Sequence, residues 1–175
     1  MASKKPAKKA AARKAVVKKK KVAPVPSGYH TLTPYLVCRE AARAIEFYKK
    51  AFGAEELFRM PMPDGKVGHA ELQFGSSRIM LADEFPDMPD MVLSSPDDLG
   101  GSTIGFNFYV PDVDTAFKRA VDAGAMVRRE VKNQFYGDRS GTVQDPFGHI
   151  WTLSTHVEDL SPEQMKARME AAPQG

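Results

Sequence analysis

The sequence predicts an α+β fold built from two βαβββ modules in tandem, and three observations carry that prediction. The chain repeats itself: "TLTPYLVCREAARAIEFYKKAFGAEELFRM" and "KVGHAELQFGSSRIMLADEF" are matched by "TIGFNFYVPDVDTAFKRAVDAGAMVRREV" and "RSGTVQDPFGHIWTLST". Each half opens on an apolar-rich strand that runs into a helix ending in Phe-Gly-Ala or Ala-Gly-Ala. Three further strand-like segments follow each helix, separated by turn residues. The 175 residues suffice for one domain of ordinary size and a tail.

The tail comes first. Met1 to Lys21 holds Lys4, Lys5, Lys8, Lys9, Arg13, Lys14, Lys18, Lys19, Lys20 and Lys21 and no acid, and the first acidic residue is Glu40. Ten of the 25 basic residues sit there, so the other 15 face 22 acids and the rest of the chain is formally −7. Such a Lys/Ala/Pro composition cannot offset the entropy of ordering, so the segment is expected to be disordered. It has no apolar core of a secretory leader and too little Arg and Ser for an organelle transit peptide. It is similar to the Lys/Ala/Pro-rich tails of linker histones and bacterial nucleoid proteins, which implies sequence-blind, salt-dependent contact with nucleic acid. The alternative is a solubilising extension. "VAPVPSG" (22–28) then reads as a stiff linker, which closes a first region of residues 1–28.

Module one spans residues 29–84. Its strands are expected at Thr31 to Cys38, Glu55 to Met60, Val67 to Phe74 and Arg78 to Asp83. Between the first two, Ala42, Ile45, Phe47, Tyr48, Ala51 and Phe52 recur at helical spacing, and Gly53 supplies a left-handed C-cap. "MPDGK" (62–66) is the hairpin turn that joins the second and third strands. Residues 85–102 form a long Pro- and Asp-rich connection that carries Phe85, Met88, Met91, Val92 and Leu93; it reads as a lid over a ligand or as a seal at a dimer interface.

Module two spans 103–160. Strands are expected at Thr103 to Val110, Met126 to Val131, Arg139 to Gln144 and His149 to Thr155, with a helix from Asp112 to Gly124. "DPFGH" (145–149) is the counterpart hairpin turn, which makes the Asp, His and Trp around it fold signature rather than active site. Ser161, Pro162 and Gln164 form a capping box that starts a terminal helix within 161–175. No stretch approaches the ~20 apolar residues of a membrane span. One cysteine, Cys38, leaves no internal disulfide and no CxxC zinc site, in keeping with a reducing, cytoplasmic setting.

"PYLVCREAARAIEFYKKAFGA", "GHAELQFGSSRIMLAD" and "DRSGTVQDPFGHIWTLSTHVEDLSPEQM" resemble the glyoxalase/bleomycin-resistance/dioxygenase superfamily, the vicinal oxygen chelate proteins, and within it the PhnB-like (demethylubiquinone-methyltransferase-like) branch. The resemblance covers Thr31 to Met165. It implies sheets that curve into a cup, a homodimer, and cups that serve as ligand cavities. The superfamily hosts isomerases, dioxygenases, sequestering proteins and orphans, so fold alone does not name the chemistry.

In metal-dependent members, side chains from the first and fourth strands of each module hold a divalent ion. Those positions fall here on Thr33, Met80, Gly105 and Thr152, none of which is a competent donor for zinc, nickel or iron, so the expected metal set is none. Strand parity turns Tyr35, Arg78, Met80, Asn107, Tyr109 and Thr152 toward the cup, together with His69, Glu71 and Gln73. Tyr136, Asp138 and Arg139 are expected at its rim, with Asp138 pairing to Arg139 or Arg78. The candidate ligand-binding set is therefore Thr33, Tyr35, Arg78, Met80, Asn107, Tyr109, Tyr136, Arg139 and Thr152. His149, at a strand start, reads as structural or surface.

Three functions compete. The first is a protein that binds a small, partly apolar molecule without the usual metal. The second is a lyase, isomerase or dioxygenase that uses His69 and Glu71 as acid and base or as ligands of a displaced divalent metal, against the bland alternative of a hydrogen-bonded pair. The third is a nucleic-acid-associated protein anchored through the tail.

Overall fold

A computed structural model describes residues 22–88 and 92–171. The basic tail and Met91 lie outside the described residues. In chain order the elements are β1 (Tyr35–Cys38), α1 (Ala41–Phe52), β2 (Glu55–Pro61), β3 (Val67–Phe74), β4 (Ser77–Asp83), α2 (Pro96–Leu99), β5 (Gly105–Tyr109), α3 (Val113–Asp122), β6 (Met126–Asn133), β7 (Asp138–Gln144), β8 (Ile150–His156) and α4 (Pro162–Ala171). Two mixed, curved four-stranded sheets result, ordered β1-β4-β3-β2 and β5-β8-β7-β6, with the first pair of each parallel and the others antiparallel. The repeated βαβββ topology predicted from the sequence is the one observed.

The repeat extends to the way each helix is started. At the end of β4, the buried Asp83 carboxylate accepts the Ala41 N–H at 2.8 Å and the Val67 N–H at 2.6 Å. At the matching place in β8, the Thr155 hydroxyl accepts the Val113 N–H at 2.9 Å and donates to the Val110 carbonyl. Both satisfy an N–H that a helix start leaves without an intrahelical partner. α1 ends on Gly53 at φ 68°, whose N–H closes on the Lys49 carbonyl. The terminal helix starts on the expected capping box, Ser161 and Gln164 exchanging backbone-to-side-chain bonds at 2.8 and 3.3 Å.

Two strands are shorter than the sequence suggests, and one element was missed. β1 begins at Tyr35 because Pro34 has no N–H to give a ladder. β5 begins at Gly105 because Ser102 diverts the chain ahead of it: its hydroxyl donates to the Ile104 carbonyl at 2.8 Å and accepts the Ile104 N–H at 3.4 Å. The connection between modules is not irregular throughout. Ser95 caps Asp98, Pro96 stands at the first helical position, and Gly100 terminates the short α2. Glu84 fixes this turn by accepting both the N–H and the hydroxyl of Ser95 at 2.8 and 3.1 Å.

The core decides how the modules face one another. Phe74 of β3 stacks on Trp151 of β8 with ring centroids 5.4 Å apart, and its ring is also 5.8 Å from that of Phe108 of β5. Phe52 of α1 reaches Phe108 and Trp151 as well, and Arg119 of α3 donates to the Ala51 carbonyl at 2.8 Å. Phe74, Phe108 and Trp151 belong to the apolar, helix-covered faces of the two sheets and Phe52 to the helix over the first, so those faces look inward and join in one core. The polar faces of the two sheets therefore point away from each other within one chain.

Candidate functional site

On the polar face of the first sheet, the ladder sets Tyr35 beside Met80 and Met80 beside Glu71. The Tyr35 hydroxyl is 3.2 Å from His69 Nδ1, and His69 Nε2 is 3.5 Å from Glu71 Oε1. The expected pair on β3 thus exists, extended by a tyrosine whose phenol is pushed up by burial. Arg78 donates to Gln73 Oε1 at 3.0 Å and to the Ser27 carbonyl at 3.4 Å, and its guanidinium lies 4.6 Å from the Tyr29 ring centre.

The second sheet repeats the placement with different chemistry. Asn107 is opposite Thr152, and the Thr152 and Thr142 hydroxyls are 3.0 Å apart. Asp138, buried, accepts the Tyr109 hydroxyl at 2.8 Å and lies 2.8 Å from His156 Nδ1, while His156 Nε2 is 3.0 Å from Asp159. The hydrogen bond to Asp138 holds the Tyr109 phenol above its usual pKa, and the carboxylates of Asp138 and then Asp159 raise that of His156. Asp138 therefore pairs with neither arginine named for it from the sequence. Arg139 points to the helix side instead, where two of its nitrogens meet the Asp114 carboxylate, one at 2.8 Å. Tyr136 packs its ring edge-on against Phe135 at 5.2 Å.

The four superfamily metal positions neither carry suitable donors nor meet. Thr33 lies ahead of β1, Gly105 offers no side chain, and Met80 and Thr152 stand on sheets whose polar faces diverge. Among the described residues no group of three or more His, Cys, Asp and Glu side chains is placed to hold an ion. The residues present do not fit the superfamily metal.

What the fold does bring together is a crevice between the modules. A cavity of about 420 Å³ opens between the edge of β5 on one side and the segment before β1 with the β3–β4 turn on the other. Thr33, Arg78, Asn107 and Tyr109, four of the expected ligand residues, line it. Its floor is Phe74, Phe106, Phe108 and Trp151, aromatic residues that strand alternation assigns wholly to the core; β5 is an edge strand, so the crevice reaches both of its faces. A neighbouring cavity of about 320 Å³ touches Tyr35, and Val92, Leu93 and Leu99 of the inter-module connection give it an apolar rim together with Ile104.

The "DPFGH" cluster is structural, and more heavily built than a turn requires. Asp145 is 4% exposed and its carboxylate accepts four hydrogen bonds: from the Tyr48 hydroxyl at 2.8 Å, the Trp151 indole N–H at 2.9 Å, and the backbone N–H groups of Phe147 and His149, both at 2.9 Å. His149 is buried, its Nε2 3.7 Å from Cys38 Sγ, and burial lowers its pKa while it pushes the Cys38 thiol up.

The profile of the Glyoxalase/Bleomycin resistance protein/Dioxygenase superfamily matches residues 29–153. An uncharacterized protein of Mycobacterium bovis is 43% identical over 144 residues, which cover 82% of this chain and 95% of that one. Among solved structures, TioX from Micromonospora sp. ML1 is 26% identical with a TM-score of 0.56, covering 72% of this chain and 98% of its own. The PhnB protein from Bacillus cereus, 17% identical with a TM-score of 0.56 over 72% of this chain and 99% of its own, shares the fold.

Proposed function

The chain belongs to the glyoxalase/bleomycin resistance protein/dioxygenase superfamily, and from that premise we propose that it binds a small, partly apolar molecule in the crevice between its modules, without the superfamily metal. The observation that carries this reading is the convergence of Thr33, Arg78, Asn107 and Tyr109 over a floor of Phe74, Phe106, Phe108 and Trp151. A volume of about 420 Å³ suits a ligand of modest size, and an apolar wall with a few convergent polar groups is the usual make-up of such sites. The protein acts as a homodimer in this proposal, because polar faces turned apart within one chain become a closed cup only when a second copy covers them. No helix among the described residues is long and apolar enough to cross a membrane, and the proposed setting is cytoplasmic.

A second reading is favoured by one geometry, the Tyr35–His69–Glu71 chain. Three titratable groups in line on one face can pass a proton to or from a bound carbonyl compound, as a lyase or isomerase requires. Native mass spectrometry of the purified full chain, with elemental analysis of the same sample, separates the two. The expected result is a metal-free dimer, with any bound small molecule seen as added mass. Stoichiometric metal would sink the first reading and move the chemistry to His69 and Glu71.

The basic tail supports an independent association with nucleic acid, on the strength of ten Lys/Arg without an acid joined to a remainder of formal charge −7. The whole protein is expected to shift duplex DNA in a gel at low salt and to release it steeply as salt rises, whereas a chain starting at Pro26 does not. Equal, negligible shifts for both would end this reading.

A further inference from the structure

We propose that the crevice selects an anion: its ligand is a planar, aromatic-bodied molecule carrying a carboxylate, sulfonate or similar acidic group that is held by Arg78. This rests on the crevice being the ligand site and names the class of molecule it takes. The first support is the charge of the lining. No Asp or Glu lines the crevice, and Arg78 is its one residue of permanent charge, joined by His30. That lining stands apart from the formal charge of −7 carried by this part of the chain.

The second support is the bonding of Arg78 itself. Its Nε donates to Gln73 and its Nη1 to the Ser27 carbonyl, both neutral acceptors, and Nη2 has no acceptor among the described residues. No carboxylate among them lies within ion-pair distance of this guanidinium; Arg119, Arg128 and Arg129 share that state, but of the four only Arg78 lines the crevice. The linker reinforces the placement: Gly28 passes so close that a Cβ there would fall 2.3 Å from Nη2, and the Tyr29 ring packs on the guanidinium. Arg78 is thus held in place by Gln73 and the linker, and it lines the cavity with neutral acceptors alone, which an oxyanion can replace.

The third support is the floor. Trp151 and Phe106 stack with ring centroids 4.7 Å apart, and Phe108 and Phe74 meet edge to face at 5.8 Å, so the apolar wall is made of rings that prefer another ring against them. An aromatic body fills this wall while its acidic group reaches Arg78, with Asn107 and Thr33 able to complete its hydrogen bonds.

Two dyes that differ in the acidic group alone test the proposal: anilinonaphthalene sulfonate and the neutral N-phenylnaphthylamine, titrated by fluorescence into the full chain at about 0.15 M salt, where contacts with the exposed tail are screened. The sulfonate is expected to bind about tenfold more tightly than the neutral dye, the margin of one charge-assisted hydrogen-bonded contact. Arg78→Gln should erase that margin and leave the neutral dye unchanged, and Arg78→Lys should keep most of it. Equal binding of the two dyes to the unmodified chain, or a margin that survives Arg78→Gln, overturns the anion preference while the crevice remains a ligand site. Asn107→Phe, which narrows the crevice, should weaken both dyes; if it weakens neither, the crevice reading fails and the anion proposal with it.

Discussion

Asp145→Ala is expected to destabilise the fold by about 4 kcal/mol, the range found when one partner of a buried charged network is removed, and to lower the melting temperature by roughly 10 °C for a domain of this size. The magnitude follows from what the carboxylate serves. Tyr48 has no exposure and Trp151 is 2% exposed, so neither donor can turn to water when its acceptor goes. The Phe147 and His149 N–H groups shape the turn and lose their acceptor in the same step. Asp145→Asn should cost about half as much, because one amide oxygen can still serve the two backbone donors while its NH₂ faces the indole N–H. Thermal melts followed by circular dichroism read both. A loss below about 1 kcal/mol for Asp145→Ala would mean that the carboxylate is dispensable to the core. Burial pushes the Tyr48 phenol well up, and the Asp145 charge pushes it further, so that bond keeps its proton on the tyrosine throughout the neutral range.

Asp145 also marks where sequence reasoning stops. The Pro and Gly around it are local signals, sufficient to read a hairpin turn and to mark the cluster as fold signature. The Tyr48 partner lies 97 residues away, and no periodicity joins the two. The same division runs through the site. Period-two alternation turns His69, Glu71 and Gln73 to one face of β3, and the structure buries Ala70, Leu72 and Phe74 on the other; register is legible there because a slip of one residue would bury charge. It could not show that the two modules meet through their apolar faces, since that depends on α1 and α3 packing together rather than on any one strand. The crevice is a product of this docking, which is why Phe106 and Phe108 pack against the core and also form its floor. Arg139 was read as part of the rim; one step from Asp138 in a strand, it belongs to the opposite face and finds Asp114 there. The α2 turn was legible in "SSPDDLG", where a capping serine, a first-turn proline, two acids and a terminal glycine stand in order, but at four residues it has too little periodicity to stand out.

Trp151→Ala should cost about 4 kcal/mol as well, for a different reason: it removes the ring that joins the modules, and large aromatic truncations in cores fall in the range of 3–5 kcal/mol. The indole lies with its centroid 4.7 Å from those of Phe52 and Phe106, 5.4 Å from Phe74 and 5.5 Å from Tyr48. Two of those partners come from α1 and one from each sheet, so a single residue is packed by both halves of the repeat. Its N–H also feeds Asp145, and the two substitutions are coupled; the double variant should lose less than the sum of the singles. Trp151→Phe keeps a ring and gives up the hydrogen bond, for an expected cost of about 1.5 kcal/mol. Denaturant unfolding distinguishes a local cavity from a loss of docking. If the modules hold together chiefly through this ring, the alanine variant should unfold in two steps where the unmodified chain unfolds in one. A single transition of unchanged steepness at lower denaturant would show that the remaining aromatic contacts, Phe52 with Phe108 and Phe74 with Phe108, suffice to keep one cooperative core. Either result bears on the crevice, because its floor is the same set of rings. A ligand site built from an inter-module core lasts only as long as the modules stay docked, so dye binding by Trp151→Ala should fall for both the anionic and the neutral probe, unlike the charge-selective loss expected of Arg78→Gln.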